Sequence, residues 1–575
     1  MTRALGRLHD GDNGGERLSV RLRGELAGVL SRRGQDRLKA ILGASDPSIV
    51  AQALSLPEVF YTYGDLDDDG RRSLVALLSD DQIDYLLDLD LWDRDEVDAD
   101  RALAWIERLL HADPDLAVRW VLRADSNLIV AVLQKLVIVT EGPFGSQAVL
   151  SEAQDQLPPF TAEGNYYVHF KARGAERLLK ELLIRIAGED LEYYLSLLQD
   201  VIVMTDSQCG EDAYSRRWNR LRDQGFVPPE EAYDIYSWTG SAGSPDTEDA
   251  VELELDAPAP TALTLSGPSG LLASVVDALT DDERFDVSRS LVVAGARILS
   301  ADHLPLGDLD AHRRSLHKAL GYVNIGLEQC SGGDPARAHD TLLRTGCGRL
   351  FRQGYQSVAD LGRRALALRR QGWISNQIGL GVELLDEPMG EVIAALARPR
   401  PLFPARALNA EGADREFVCF EEVARCSDEL DRAEALRRLF IDGLGLDLAP
   451  AQVFDLSGCT PSEARELSLG LILRTAIAHL VLEGQLRFVP VDAGRLSELV
   501  RRFLAETSGD LLGSPLRDLV FSTLIGRIDS PTQNELRHLG EYLDSSLAEL
   551  SSAVAGLDLD RAIDPRFVGA FVIRH

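Results

Sequence analysis

The segment Ala301–Leu320 holds three of the ten histidines, His303, His312 and His317, with Asp302, Asp308 and Asp310 among them. Imidazole nitrogens and carboxylate oxygens ligate divalent metals and move protons near neutral pH. These six residues form the candidate metal or acid–base site. The competing reading makes them surface and helix-cap residues. His312 and His317 are five apart, about 140° around a helix, so they do not share a face as an i, i+4 pair would. Asp65-Leu66-Asp67-Asp68-Asp69-Gly70 begins like a calcium loop. Such a loop needs a bidentate Glu at its twelfth position. Ala76 stands there, which favours an acidic turn between helices. Asp88, Asp90, Asp93, Asp95, Asp98 and Asp100 surround Trp92. They read as a solvated face with helix caps, and alternatively as a surface for a cation or a basic partner. Around Pro228-Pro229, Trp218, Phe226, Tyr233, Tyr236 and Trp238 make an aromatic cluster. It either docks its segment onto the core or lines a groove for a partner peptide or small ligand.

Familiar catalytic signatures are missing. The chain has no GxxxxGK[ST], no GxGxxG after a strand, no GxSxG and no HExxH. Cys209, Cys330, Cys347, Cys419, Cys426 and Cys459 include no CxxC pair. Six cysteines in 575 residues make no disulfide framework, which points to a reducing compartment.

The elements that must position these residues read as helices. Ser79-Asp80-Asp81-Gln82 and Thr280-Asp281-Asp282-Glu283 are capping boxes. Asp98 and Asp113-Pro114 are further starts. Similar starts read at Ser357–Asp360 and Thr460–Glu463. Helices are expected over 22–42, 126–139, 175–186, 461–482, 492–506 and 530–554, and short strands over 165–170 and 486–491. Trp92, Trp105 and Trp120 read as core anchors between successive helices. Residues 239–260 are acidic and rich in Pro and Ser, as a linker would be.

Composition bounds the rest. The formal charge is −32, with 92 acidic and 60 basic residues, and 45% of residues are apolar. That is too apolar for a disordered chain and too acidic for general binding to phosphate backbones. The residues up to Ser19 contain no apolar core of a secretory signal. No apolar run approaches the roughly 18 to 20 residues of a membrane span.

Several blocks carry a family resemblance. They are Gln82 to Asp95 with Leu87-Asp88-Leu89 and Trp92; Trp105, Trp120 and Ala124-Asp125; Gly225 to Ala232, leading to Ile235-Tyr236; Gly321 to Glu328; Leu350-Phe351-Arg352 to Gly354; and Arg398 to Phe403. Together they resemble an uncharacterised bacterial family, a domain of unknown function of similar length, over about residues 50 to 400 or the whole chain. The resemblance implies no activity, cofactor or catalytic residue. The first 150 residues also faintly resemble the helical cytosolic domain of bacterial magnesium transporters, and no transport function carries over.

The expected fold is mainly α, a multi-helical array or bundle with minor short strands. The expected organisation is an N-terminal segment 1–44, a helical domain 45–240, a linker 241–260 and a helical domain 261–575, either whole or divided near 400. The expected function is a non-catalytic cytoplasmic scaffold or regulatory protein that binds another protein, without cofactor, membrane insertion or general nucleic-acid binding. The alternative is a divalent-metal-dependent enzyme or sensor built on Asp302–His317.

Overall fold

The computed structural model describes residues 13–141, 160–171, 174–237, 270–370, 385–446, 456–463, 466–507, 514–555, 563–565 and 568–575. The chain is mainly α and divides into two compact units, residues 1–353 and 354–575. The expected linker 241–260 lies outside the described residues. The helices on both sides of it belong to the first unit.

In the first unit the helices run α1 (Asn13–Leu30), α2 (Gly34–Leu42), α3 (Pro47–Gln52), α4 (Leu56–Gly64), α5 (Asp68–Val75), α6 (Asp80–Asp90), α7 (Ala99–Ala112), α8 (Pro114–Arg123) and α9 (Ser126–Leu136). They continue with α10 (Glu176–Glu189), α11 (Leu191–Val203), α12 (Asp206–Arg222) and α13 (Pro229–Ala232), which passes into the 3-10 turn Tyr233–Tyr236. Then come α14 (Gly270–Ala278), α15 (Asp281–Ala301), α16 (Leu309–Ser331) and α17 (Pro335–Thr345). Helix α18 (Cys347–Arg370) contains the division between the units.

Local chemistry explains the starts. Ser79 and Gln82 exchange both bonds of their box, as do Thr280 and Glu283. Asp98 accepts from Arg101 N at 2.9 Å, and Asp113 precedes Pro114 at the first helical position. Trp92, Trp105 and Trp120 are buried in one hydrophobic core that runs from Val29 to Ala311. Trp105 stacks on Tyr63 at 5.4 Å and donates to Asp90 at 2.8 Å.

Two of the sequence expectations for this unit need correction. The 22–42 stretch is two helices, broken at residues 31–33. The helix expected to Val139 stops at Leu136, because Val137–Glu141 (β3) pairs antiparallel with Tyr166–Phe170 (β4), Val139 opposite Val168. A tight hairpin, Trp92–Asp93 (β1) with Glu96–Val97 (β2), joins α6 to α7.

The second unit contains α19 (Met389–Leu396), α20 (Phe420–Arg438), α21 (Leu469–Glu483), α22 (Leu496–Thr507), α23 (Pro515–Ile525) and α24 (Gln533–Ala555). Helix α21 is buried on every side from Leu469 to Leu482. Its start is not at Pro461. Thr460 belongs to β5 (Cys459–Thr460), and Ser468 caps the helix by accepting from Leu471 N at 3.2 Å. The strand expected over 486–491 contracts to β6 (Val491–Asp492). Both β5 and β6 flank β7 (Ile573–Arg574), antiparallel and parallel respectively. Ser357–Asp360 lies inside α18 and starts no helix. Asp386 anchors α21 by accepting from Gly470 N at 3.0 Å and from the Tyr542 hydroxyl.

Candidate functional site

The two candidate groups, one metal-like and one aromatic, meet in the first unit. Helix α15 ends at Ala301, and the chain turns back through Asp302 and His303 into α16. Across this turn lies the segment 229–236, started by Pro228-Pro229. Ala232 and Ile235 are its buried side chains.

The turn is a Schellman closure. His303 N donates to Ser300 O at 3.1 Å and Leu304 N to Leu299 O at 2.9 Å. His303 takes the left-handed position with φ +51°, where glycine is usual. Its Nε2 is 2.7 Å from the Tyr233 hydroxyl, and the two rings meet edge-on at 5.9 Å. Both residues are exposed.

One layer inward, Asp302 is occupied by protein groups. Lys318 Nζ donates to Asp302 Oδ2 at 2.9 Å, and the Tyr236 hydroxyl donates to Oδ1 at 2.6 Å. The Lys318 and Asp302 side chains are 4% and 8% exposed, so this ion pair is desolvated. Lys318 also lies 5.1 Å from the Tyr236 ring centre, and Tyr236 packs on Phe351. Lys318 was not among the sequence candidates. Its signal was available, as a lysine inside the apolar helical run Leu316–Leu327.

The remaining histidines and aspartates part company. His312 is buried against Phe60, Tyr61 and Phe226, with the Phe60 ring 4.4 Å away. Its Nε2 donates to Leu306 O at 2.8 Å. Burial pushes its pKa down to about 4, against the opposing pull of the Leu306 carbonyl and Asp308. His317 is exposed. Asp308 caps α16 through Asp310 N, and Asp310 pairs with Arg313 at 2.9 Å. Among the described residues no three His, Cys, Asp or Glu side chains gather to hold a metal ion.

The aromatic candidates divide as well. Phe226 belongs to the His312 cage. Trp218 belongs to a separate cluster, where the buried Arg217 guanidinium lies 5.0 Å from Trp92 and 5.3 Å from Trp218. Trp238 lies outside the described residues. The acidic run also splits: Asp93, Asp95 and Asp100 are exposed, but Asp88 is buried and holds Arg220 through both oxygens at 2.7 and 2.6 Å. Burial raises the Asp88 pKa while Arg220 and Arg217 pull it down. In the calcium-like stretch, Asp67 caps α5 through Gly70 N at 2.8 Å and Asp65 pairs with Arg313 at 2.7 Å.

What stays available at the surface is the outer edge of the turn, centred on Tyr233. Tyr233 is 47% exposed, and its hydroxyl is oriented by a histidine fixed on a strained backbone. Such an edge presents an aromatic anchor with little entropy left to lose.

The chain belongs to the family of unknown function DUF6178, whose family model matches residues 16–574. No curated protein and no solved structure matches the chain.

Proposed function

We propose that this protein is a non-catalytic cytoplasmic helical scaffold or regulatory protein that binds another protein through the Tyr233 edge. The observation that carries the reading is the contrast at the turn between α15 and α16. Its ionisable groups are largely satisfied from within, whereas the Tyr233 ring is exposed and pre-oriented by His303. Tyrosine, with tryptophan and arginine, is enriched among the few residues that carry most of the energy of protein interfaces. None of the six cysteines is joined in a disulfide, in keeping with a reducing compartment. No described helix is long and apolar enough to cross a membrane. The charge of −32 argues against a phosphate-backbone partner. A divalent-metal role for Asp302–His317 draws less support, because Lys318 already neutralises Asp302 and His312 faces an aromatic cage.

The test is a photo-crosslinkable residue at exposed Ser237 in the tagged full chain, captured from its native cells and read by mass spectrometry. One reproducible crosslinked protein that disappears with Tyr233→Ala is expected. Stoichiometric bound metal with no Tyr233-dependent crosslink would reverse the reading.

A further inference from the structure

The segment 229–236 has two unlike faces. The inner one carries Ala232, Ile235 and Tyr236, tied to the unit by packing and by Asp302. On the outer one, Glu230 in the short α turn and Tyr233 and Asp234 at the start of the 3-10 turn are all exposed. Glu231 is taken by Arg222, both of its oxygens accepting at 2.9 Å. Glu230 and Asp234, by contrast, have no ion pair or side-chain hydrogen bond among the described residues. In sequence they stand on either side of Tyr233, whose hydroxyl is already oriented by His303 at 2.7 Å.

From this complementarity we infer that the partner presents an arginine to this face. Its planar guanidinium would stack on the Tyr233 ring while donating to the Glu230 and Asp234 carboxylates. Arginine fits better than lysine, because a flat, weakly hydrated cation can stack and donate in a fork at once. The inference rests on the protein-binding reading and names the chemistry of its partner.

The probe is a short fluorescent peptide alternating arginine with glycine, and its lysine twin, titrated into the full chain by fluorescence anisotropy at moderate salt. The arginine peptide should bind about threefold or more tightly than the lysine twin. Tyr233→Ala should remove that preference, and Tyr233→Phe, which keeps the ring, should retain it. The pair Glu230→Gln with Asp234→Asn should weaken binding by about threefold to tenfold. The pair Asp93→Asn with Asp95→Asn makes the same charge change on the β1–β2 hairpin and should leave binding unaltered. Melting curves confirm that each variant is folded. Equal affinity for the two peptides, or equal weakening by both charge pairs, would show only general attraction to an acidic protein and overturn the inference. A wild-type dimer that Tyr233→Ala dissociates would overturn it in favour of a second copy as occupant. If the peptides fail while Ser237 crosslinking still depends on Tyr233, the arginine is wrong and the protein-binding reading stands.

Discussion

Replacing His312 with glutamine should flatten part of the pH dependence of the first unit. Enclosed by Phe60, Tyr61 and Phe226, the imidazole is neutral in the fold, with a pKa pushed down to about 4. In the unfolded chain it titrates near its ordinary value of about 6.5. The unfolded state therefore binds the extra proton first as pH falls, and stability is lost with it. The contribution is fully present above about pH 6.5 and is lost progressively down to about pH 4. That interval is worth about 3 kcal/mol at roughly 1.4 kcal/mol per pH unit. Glutamine keeps a donor for the Leu306 carbonyl but cannot take up a proton, at a packing cost of roughly 1–2 kcal/mol that does not vary with pH. Hydrogen exchange in a urea gradient, read on peptides covering α4 and the start of α16, measures this locally without requiring the two units to unfold together. The wild-type advantage of roughly 1–2 kcal/mol at pH 7 should fall by about 3 kcal/mol as pH drops to 4, so that the glutamine variant becomes the more stable there. Parallel pH profiles for the two proteins would refute the argument.

Lys318→Met should cost the first unit about 3–5 kcal/mol, because it leaves Asp302 buried without its cation. Adding Asp302→Asn should recover much of that loss, and a melt of the single and double variants tests both. Gly326→Ala would set a Cβ 2.0 Å from the Leu350 carbonyl oxygen, so about 3 kcal/mol or more should be lost. Gly188→Ala meets nothing within 4 Å in α10 and should gain about 0.5–1 kcal/mol. In the folded protein iodoacetamide should modify exposed Cys330 first and half-buried Cys419 next. Cys347 and Cys426, whose thiols burial pushes up to about 12, should react only after unfolding, and mass spectrometry of the alkylated chain would expose any departure.

Local grammar was readable wherever a short polar group decides the outcome. The boxes at Ser79 and Thr280 and the caps at Asp98 and Asp113 are signals that the neighbouring backbone satisfies by itself. The failures occur where a distant segment competes. Val137–Val139 continued an apolar helical pattern, but β4, about thirty residues later, offers it a ladder instead. Thr460 looked like a cap until Ile573 paired with it. The candidate site follows the same rule. Composition marked Asp302, His303, Tyr233 and Tyr236 as two separate groups, and no spacing pattern could show that they share one turn. Asp302 meets Lys318 because α15 and α16 fold back on each other, and that ion pair changes the aspartate from a possible ligand into an occupied group.

The order of the small sheet in the second unit has a consequence for synthesis. β7 lies between β5 and β6, yet it is the last of the three to leave the ribosome. Until residues 573 and 574 emerge, Cys459–Thr460 and Val491–Asp492 have no strand to join them, and the Thr475 hydroxyl waits for Val572 N. The sheet of this unit therefore closes after translation of its helices is complete. A chain cut just before residue 570 would keep the described helices of this unit and leave two strand edges open to any passing backbone.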